Sequence, residues 1–99
     1  MVRIVLFCNA GMSTSLLINK MLTQAATEGF ACTVDAFATA NAAEEGKNAD
    51  VILLGPQVRH ELKRIRGLFP DIPVEPIDMM AYGRMDGEAV LSQVKSLIK

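Results

Sequence analysis

The feature that most constrains this fold is a pattern that occurs twice. A short apolar run ends in a tight loop of small residues, and a helical pattern follows. Residues 2–7 lead into Cys8-Asn9-Ala10-Gly11-Met12-Ser13-Thr14-Ser15 and then into a helix opening on Leu16, Leu17 and Ile18. Residues 51–54 lead into Gly55 and Pro56, with Pro56 suited to a first helical position, and a helix over 57–68. Apolar runs this short suit strands buried on both faces, which belong to parallel sheets covered by helices. Further strands are read at 31–37 and 74–77, the latter at an edge because Pro76 cannot donate to a ladder. Alternating strands and helices give a single α/β domain. Right-handed crossovers give a four-stranded parallel sheet in the order 2-1-3-4, with helices on both faces.

The helices carry their own punctuation. Ser13 or Thr14 is read as the cap of the first helix, with Leu17, Met21, Ala25, Ile18 and Leu22 on its apolar stripe and Gly29 as its stop. A short helix over 41–46 has Asn41 as cap and Gly46 as stop. On the helix over 57–68, Val58, Leu62, Ile65 and Phe69 share a face, and Arg59, Lys63, Arg64 and Arg66 lie around the others. Residues 78–83 form a loop or single turn, and Asp86 or Gly87 opens the last helix, where Ala89, Val90, Val94, Leu97 and Ile98 are the apolar positions.

Composition removes several classes of function. The 99 residues carry a net charge of −1, which argues against a broad nucleic-acid footprint. Apolar runs are far shorter than the roughly 20 residues of a membrane helix. The apolar stretch at 4–7 is also shorter than the roughly 7–15 residues of a signal peptide, so the chain is read as cytoplasmic. Lipid attachment at Cys8 fails on the same ground, and Phe7 is too bulky for the position before it. The two cysteines, Cys8 and Cys32, fall at opposite ends of adjacent parallel strands, too far apart for a disulfide. Without nearby histidines they also make a poor zinc site, and no metal or cofactor is expected.

In open α/β sheets the active site lies at the carboxyl ends of the strands, where the strand order reverses. Here that point lies between strands one and three, where loops 8–15 and 55–57 meet, with 78–83 as a third contributor. Cys8 stands there, before a helix N-terminus whose amides and dipole favour an anion. The same field favours thiolate over thiol, the form in which sulfur is nucleophilic. A tyrosine-phosphatase loop would need arginine six residues after the cysteine, to hold the phosphoryl oxygens and stabilise transition-state charge. This chain has Thr14 there, and no basic residue between Arg3 and Lys20. A redox Cys-x-x-Cys is absent because residue 11 is glycine, and a Walker loop is absent for want of its lysine. The loop therefore has the shape of a phosphate cradle without a fixed cation, suited to holding a phosphoryl group but poor at hydrolysing it.

The Cys8–Ser15 loop resembles that of the IIB proteins of bacterial phosphoenolpyruvate-dependent sugar phosphotransferase systems, lactose/cellobiose type. The similarity continues through Asp50-Val51-Ile52-Leu53-Leu54-Gly55-Pro56-Gln57-Val58, through Ala81-Tyr82-Gly83, and through Asp86-Gly87-Glu88. It covers essentially all of residues 1–99 and implies one IIB domain with a low-molecular-weight tyrosine phosphatase-like fold. The resemblance implies that Cys8 becomes a transient phosphocysteine. The phosphoryl group would come from a histidine of a partner IIA protein and pass to a sugar, such as cellobiose, chitobiose or lactose, held by a membrane IIC permease. The phosphate-binding set would be Asn9, Ala10, Gly11, Met12, Ser13, Thr14 and Ser15, through backbone amides and the three hydroxyls. Neutral donors suit a carrier better than a bidentate arginine, since the group must be accepted without being trapped.

Gly55, Pro56, Gln57 and Tyr82 are candidates for lining the site or docking a partner. Met12, apolar in a loop beside the nucleophile, is a further candidate for partner contact. His60 and the basic residues around it read as solvated surface, and Cys32 as structural. The expected state is a monomer. A phosphatase-like enzyme and a noncatalytic anion-binding module are the alternative readings.

Overall fold

A computed structural model describes residues 1–8 and 11–98, with side chains for all of these except 11–13. The chain runs β1 (Val2–Cys8), α1 (Gly11–Glu28), β2 (Cys32–Ala38), α2 (Ala42–Glu45), β3 (Val51–Leu54), α3 (Leu62–Leu68), β4 (Val74–Pro76), α4 (Met79–Gly83) and α5 (Gly87–Leu97). Short 3-10 turns precede α2 and α3, at Thr39–Asn41 and Pro56–Glu61. The four strands form one parallel sheet in the order β2-β1-β3-β4, as the alternating pattern predicts.

Side-chain alternation along β1 divides the core in two. Ile4 and Leu6 face one side, with Leu17, Met21 and Ala25 of α1, Ala81 and Tyr82 of α4, and Val90, Leu91 and Val94 of α5. Val5 and Phe7 face the other, against Ala42 of α2, Val58, Ile65 and Phe69. Cys8 continues the alternation onto the α1–α4–α5 side, toward the start of α1. Register fixes the cysteines far apart: Cys8 pairs with Ala38 and Cys32 with Val2, a separation of about 20 Å along the strands. Both thiols are free of any disulfide.

Four expectations about helices need correction. Helix α1 begins at Gly11 rather than after Ser15, so Ser13 and Thr14 stand inside its first turn, past the capping position. Leu22 turns outward instead of joining the apolar stripe. Residues 57–61 are 3-10 rather than α-helical, with a kink at Val58 (φ −121°, ψ 18°). There Pro56 starts a tight turn closed by the Val58 N–H on the Gly55 carbonyl at 3.0 Å, and the Val58 side chain drops into the core. Asn41 makes no side-chain cap on α2. Other boundaries match the reading. Gly29 has φ +69°, and the Phe30 N–H closes back on the Ala25 carbonyl at 2.9 Å, ending α1. Asp78 and Asp86 cap α4 and α5 by accepting from Ala81 and Ala89 at 3.0 Å each.

Candidate functional site

Cys8 ends β1 with 5% of its surface exposed, and the Gly55 N–H on the Phe7 carbonyl (2.8 Å) joins the end of β3 to the end of β1 beside it. Thr14, in the first turn of α1, is 1% exposed, and its Oγ1 donates to Cys8 Sγ at 3.1 Å. Tyr82, from α4 after β4, brings its hydroxyl to 3.4 Å from Thr14 Oγ1. Gln57 donates from Nε2 to the same phenol oxygen at 3.2 Å. Three segments that the topology assigns to this edge thus meet through side chains: residues after β1, after β3 and after β4.

The arrangement has a local cause in each segment. Thr14 lies six positions after Cys8, in the first turn of α1, and from there its hydroxyl reaches back to the sulfur. Tyr82 is held because Asp78 caps its short helix and Ala81 packs beside it in the core. Gln57 sits on the tight turn that Pro56 begins, which directs its amide across to Tyr82. Tyr82 is therefore a buried anchor on a helix rather than part of an open loop.

Of the other candidates, Asn9 and Ala10 lie outside the described residues, as do the side chains of Gly11, Met12 and Ser13. Ser15 follows Thr14 in α1, and Pro56 is half-buried beside Gly55. His60 has 72% of its side chain exposed, with Nε2 4.0 Å from Glu61. Arg64 and Arg66 are more engaged than a solvated face would be. Arg64 bonds Glu61 and the Thr39 carbonyl at 2.8 and 2.9 Å, and holds the Glu61 carboxyl below its usual range. Arg66 bonds the Val74 carbonyl and Glu75 at 3.0 and 2.8 Å. Burial pushes the Cys32 thiol up from the ordinary value, as suits a structural cysteine. Among the described residues, no group of three or more His, Cys, Asp or Glu side chains is placed to hold a metal ion.

A family model for the phosphotransferase (PTS) system, lactose/cellobiose-specific IIB subunit, matches residues 3–93. The chain belongs to this family. IIB components are sugar phosphotransferases that carry a phosphoryl group, and that general role is this chain's. The chain is 41% identical over 101 residues to the oligo-beta-mannoside-specific EIIB component of Bacillus subtilis, covering 99% of this chain and 97% of that one. It is 37% identical over 102 residues to the cellobiose-specific EIIB component of Lactococcus lactis subsp. lactis, covering 96% and 94%. The solution structure of the cellobiose-specific IIB component of Borrelia burgdorferi superposes with a TM-score of 0.80 at 36% identity, covering 98% of this chain and 91% of that one. The lactose-specific IIB domain of Streptococcus pneumoniae superposes at 0.84, covering 99% and 98%; at 18% identity it shares the fold.

Proposed function

We propose that this IIB protein carries the phosphoryl group on Cys8, taking it from a phosphohistidine of a IIA partner and giving it to a sugar held by a IIC permease. In the first step the sulfur attacks phosphorus. The S–P bond forms, the P–N bond breaks with its electron pair returning to the imidazole nitrogen, and that nitrogen takes up the proton the thiol gives up. In the second a sugar hydroxyl attacks, the O–P bond forms, and the thiolate leaves. The hydroxyl proton passes to a base or to water at the permease. One difficult transfer thereby becomes two easier ones.

The observation that carries this reading is the Thr14 hydroxyl on Cys8 Sγ, a buried neutral donor at the position where a phosphatase loop needs arginine. Amides of the first turn of α1, which have no intrahelical partners, supply the remaining donors to the phosphoryl oxygens. A β-linked disaccharide is the sugar class this reading favours, from relatives named for oligo-beta-mannoside and cellobiose; a relative named for galactose matches as well as the cellobiose one and is the alternative. No helix among the described residues is long and apolar enough to cross a membrane; on this reading the protein is a monomeric carrier working at the cytoplasmic face of the permease.

The test is intact-mass spectrometry after incubation with phosphoenolpyruvate, the general phosphotransferase proteins and a IIA of this class. Gain of one phosphoryl group, mapped to Cys8 and lost in a folded Cys8→Ser variant, is the expected result. Sugar phosphorylation retained by Cys8→Ser refutes the assignment. No adduct from donors shown to be active moves the reading to an anion-binding module, and steady release of phosphate moves it to a phosphatase.

A further inference from the structure

The polar groups behind Cys8 form a chain with a single direction. A hydroxyl has one proton to give, and an amide nitrogen can only donate. Thr14 gives its proton to Cys8 Sγ at 3.1 Å, so the contact of 3.4 Å between Thr14 and Tyr82 is made by Tyr82 donating. With its proton on Thr14, the phenol oxygen is left to accept, and Gln57 Nε2 meets it at 3.2 Å. Each donor points toward the sulfur. Thr14, Tyr82 and Cys8 are all buried, so water competes weakly for these bonds.

We propose that Tyr82 is a positioning residue for the nucleophile: it holds the Thr14 hydroxyl on the Cys8 sulfur, and Gln57 fixes the direction in which it does so. The proposal rests on Cys8 being the carrier. Its chemical sense follows from where negative charge sits during transfer. The charge starts on the sulfur and is lost from it as the S–P bond forms, the P–N electron pair going to the imidazole, while the phosphoryl oxygens, charged throughout, arrive beside the same hydroxyl. A hydroxyl whose own acceptor site is occupied by Tyr82 remains a donor throughout, and follows the charge by a small rotation. The Thr14–Tyr82 contact is longer than an ordinary O–H···O bond, so the effect of Tyr82 should be smaller than that of Thr14 itself.

The experiment is the rate of iodoacetamide alkylation at Cys8 against pH, mapped by peptide mass, in the isolated protein. Four variants are compared with wild type: Thr14→Val, Thr14→Ser, Tyr82→Phe and Thr14→Val with Tyr82→Phe. Hydrogen bonds to a charged sulfur are among the stronger ones. Thr14→Val should slow alkylation at neutral pH by roughly tenfold, the loss expected for one hydrogen bond to a charged acceptor. Thr14→Ser should restore the rate. Tyr82→Phe, which keeps the ring in the core, should slow alkylation about two- to threefold. The double variant should be no slower than Thr14→Val, because Tyr82 acts through Thr14. A Tyr82→Phe profile that superimposes on wild type overturns the proposal, and so does a double variant that loses the product of the two single effects. Should Thr14→Val fail to fold, Tyr82→Phe against wild type still decides. Phosphoryl transfer plays no part in this assay, so failure of the carrier reading is seen separately, by the mass experiment above.

Discussion

Replacing Gly87 by alanine should be among the most damaging single-methyl changes in this protein. Gly87 opens α5 where that helix crosses α1, and a Cβ built there falls 2.5 Å from the Lys20 carbonyl carbon, 2.7 Å from its oxygen and 2.7 Å from the Met21 nitrogen. Ordinary contacts are about 3.5–4.0 Å, so the helices must separate by about 1 Å. All three obstructing atoms are backbone, and no rotamer relieves them. Val90, Leu91 and Val94 of α5 are wholly buried against this side of the sheet and lose contact as α5 retreats. Overpacking of this kind costs about 1–3 kcal/mol, and better helix propensity for alanine returns less than about 1. A net loss of about 2 kcal/mol lowers Tm by roughly 8–16 °C in a domain this size. Thermal unfolding followed by circular dichroism measures it. The control is Gly67→Ala in α3, whose Cβ would meet nothing within 4 Å and which should gain about 0.5–1 kcal/mol. A Gly87→Ala variant melting within 2 °C of wild type, roughly 0.5 kcal/mol or less, refutes the argument from close approach.

Other consequences are open to simpler tests. Asp78→Ala removes the cap of the helix that carries Tyr82, so stability should fall by about 1 kcal/mol and phosphorylation of Cys8 should slow; denaturant unfolding and the mass assay check the two effects. Arg66→Ala frees a main-chain carbonyl and should cost about 1 kcal/mol, whereas Glu75→Gln breaks only the exposed half of the same arrangement and should cost less than about 0.5. Equal losses from the two would show that the ion pair, not the carbonyl, is what Arg66 serves. Because burial raises the Cys32 thiol, its alkylation midpoint in the folded protein should lie above that of the same cysteine in the unfolded chain. In the unfolded chain this thiol ionises first, so its contribution to stability is complete below the unfolded value and is lost as pH rises through the folded one. A folded-state midpoint at or below that of the unfolded chain contradicts the burial argument.

Much of the architecture was legible because apolar runs and loop residues carry it locally. The alternation of strand and helix gave the sheet order, and Gly29 and Asp86 marked helix ends through backbone requirements that any neighbour would share. The first turn of α1 was misread because glycine, serine and threonine are weak helix formers, and read as a loop; the helix starts there nonetheless, continuous with a stripe that packs on the sheet. The tight turn at Pro56–Glu61 was hidden for a related reason. Its apolar spacing is that of an α-helix, while its geometry is set by Val58 reaching the core. Within the site, Cys8 was evident from position, and Thr14 from the arginine it replaces. The bonds linking Thr14, Tyr82 and Gln57 span up to 68 positions and depend on side-chain direction, which local pattern does not specify.

The open edge of β4 bears on how this protein meets others. Ile52 takes the Pro73 carbonyl and Ile77 donates to Leu54, so Val74 and Pro76 are the residues whose main-chain groups face away from the sheet. The Val74 carbonyl is taken by Arg66 and the Pro76 carbonyl by Gln93 at 2.8 Å, while Pro76 has no N–H. Such an edge gives an approaching strand almost nothing to pair with. At β4, then, a partner cannot lengthen this sheet and must read side chains and loop ends. A ladder of main-chain bonds makes for durable complexes. A protein that must leave one partner to reach the next, at every turnover, works better without that option.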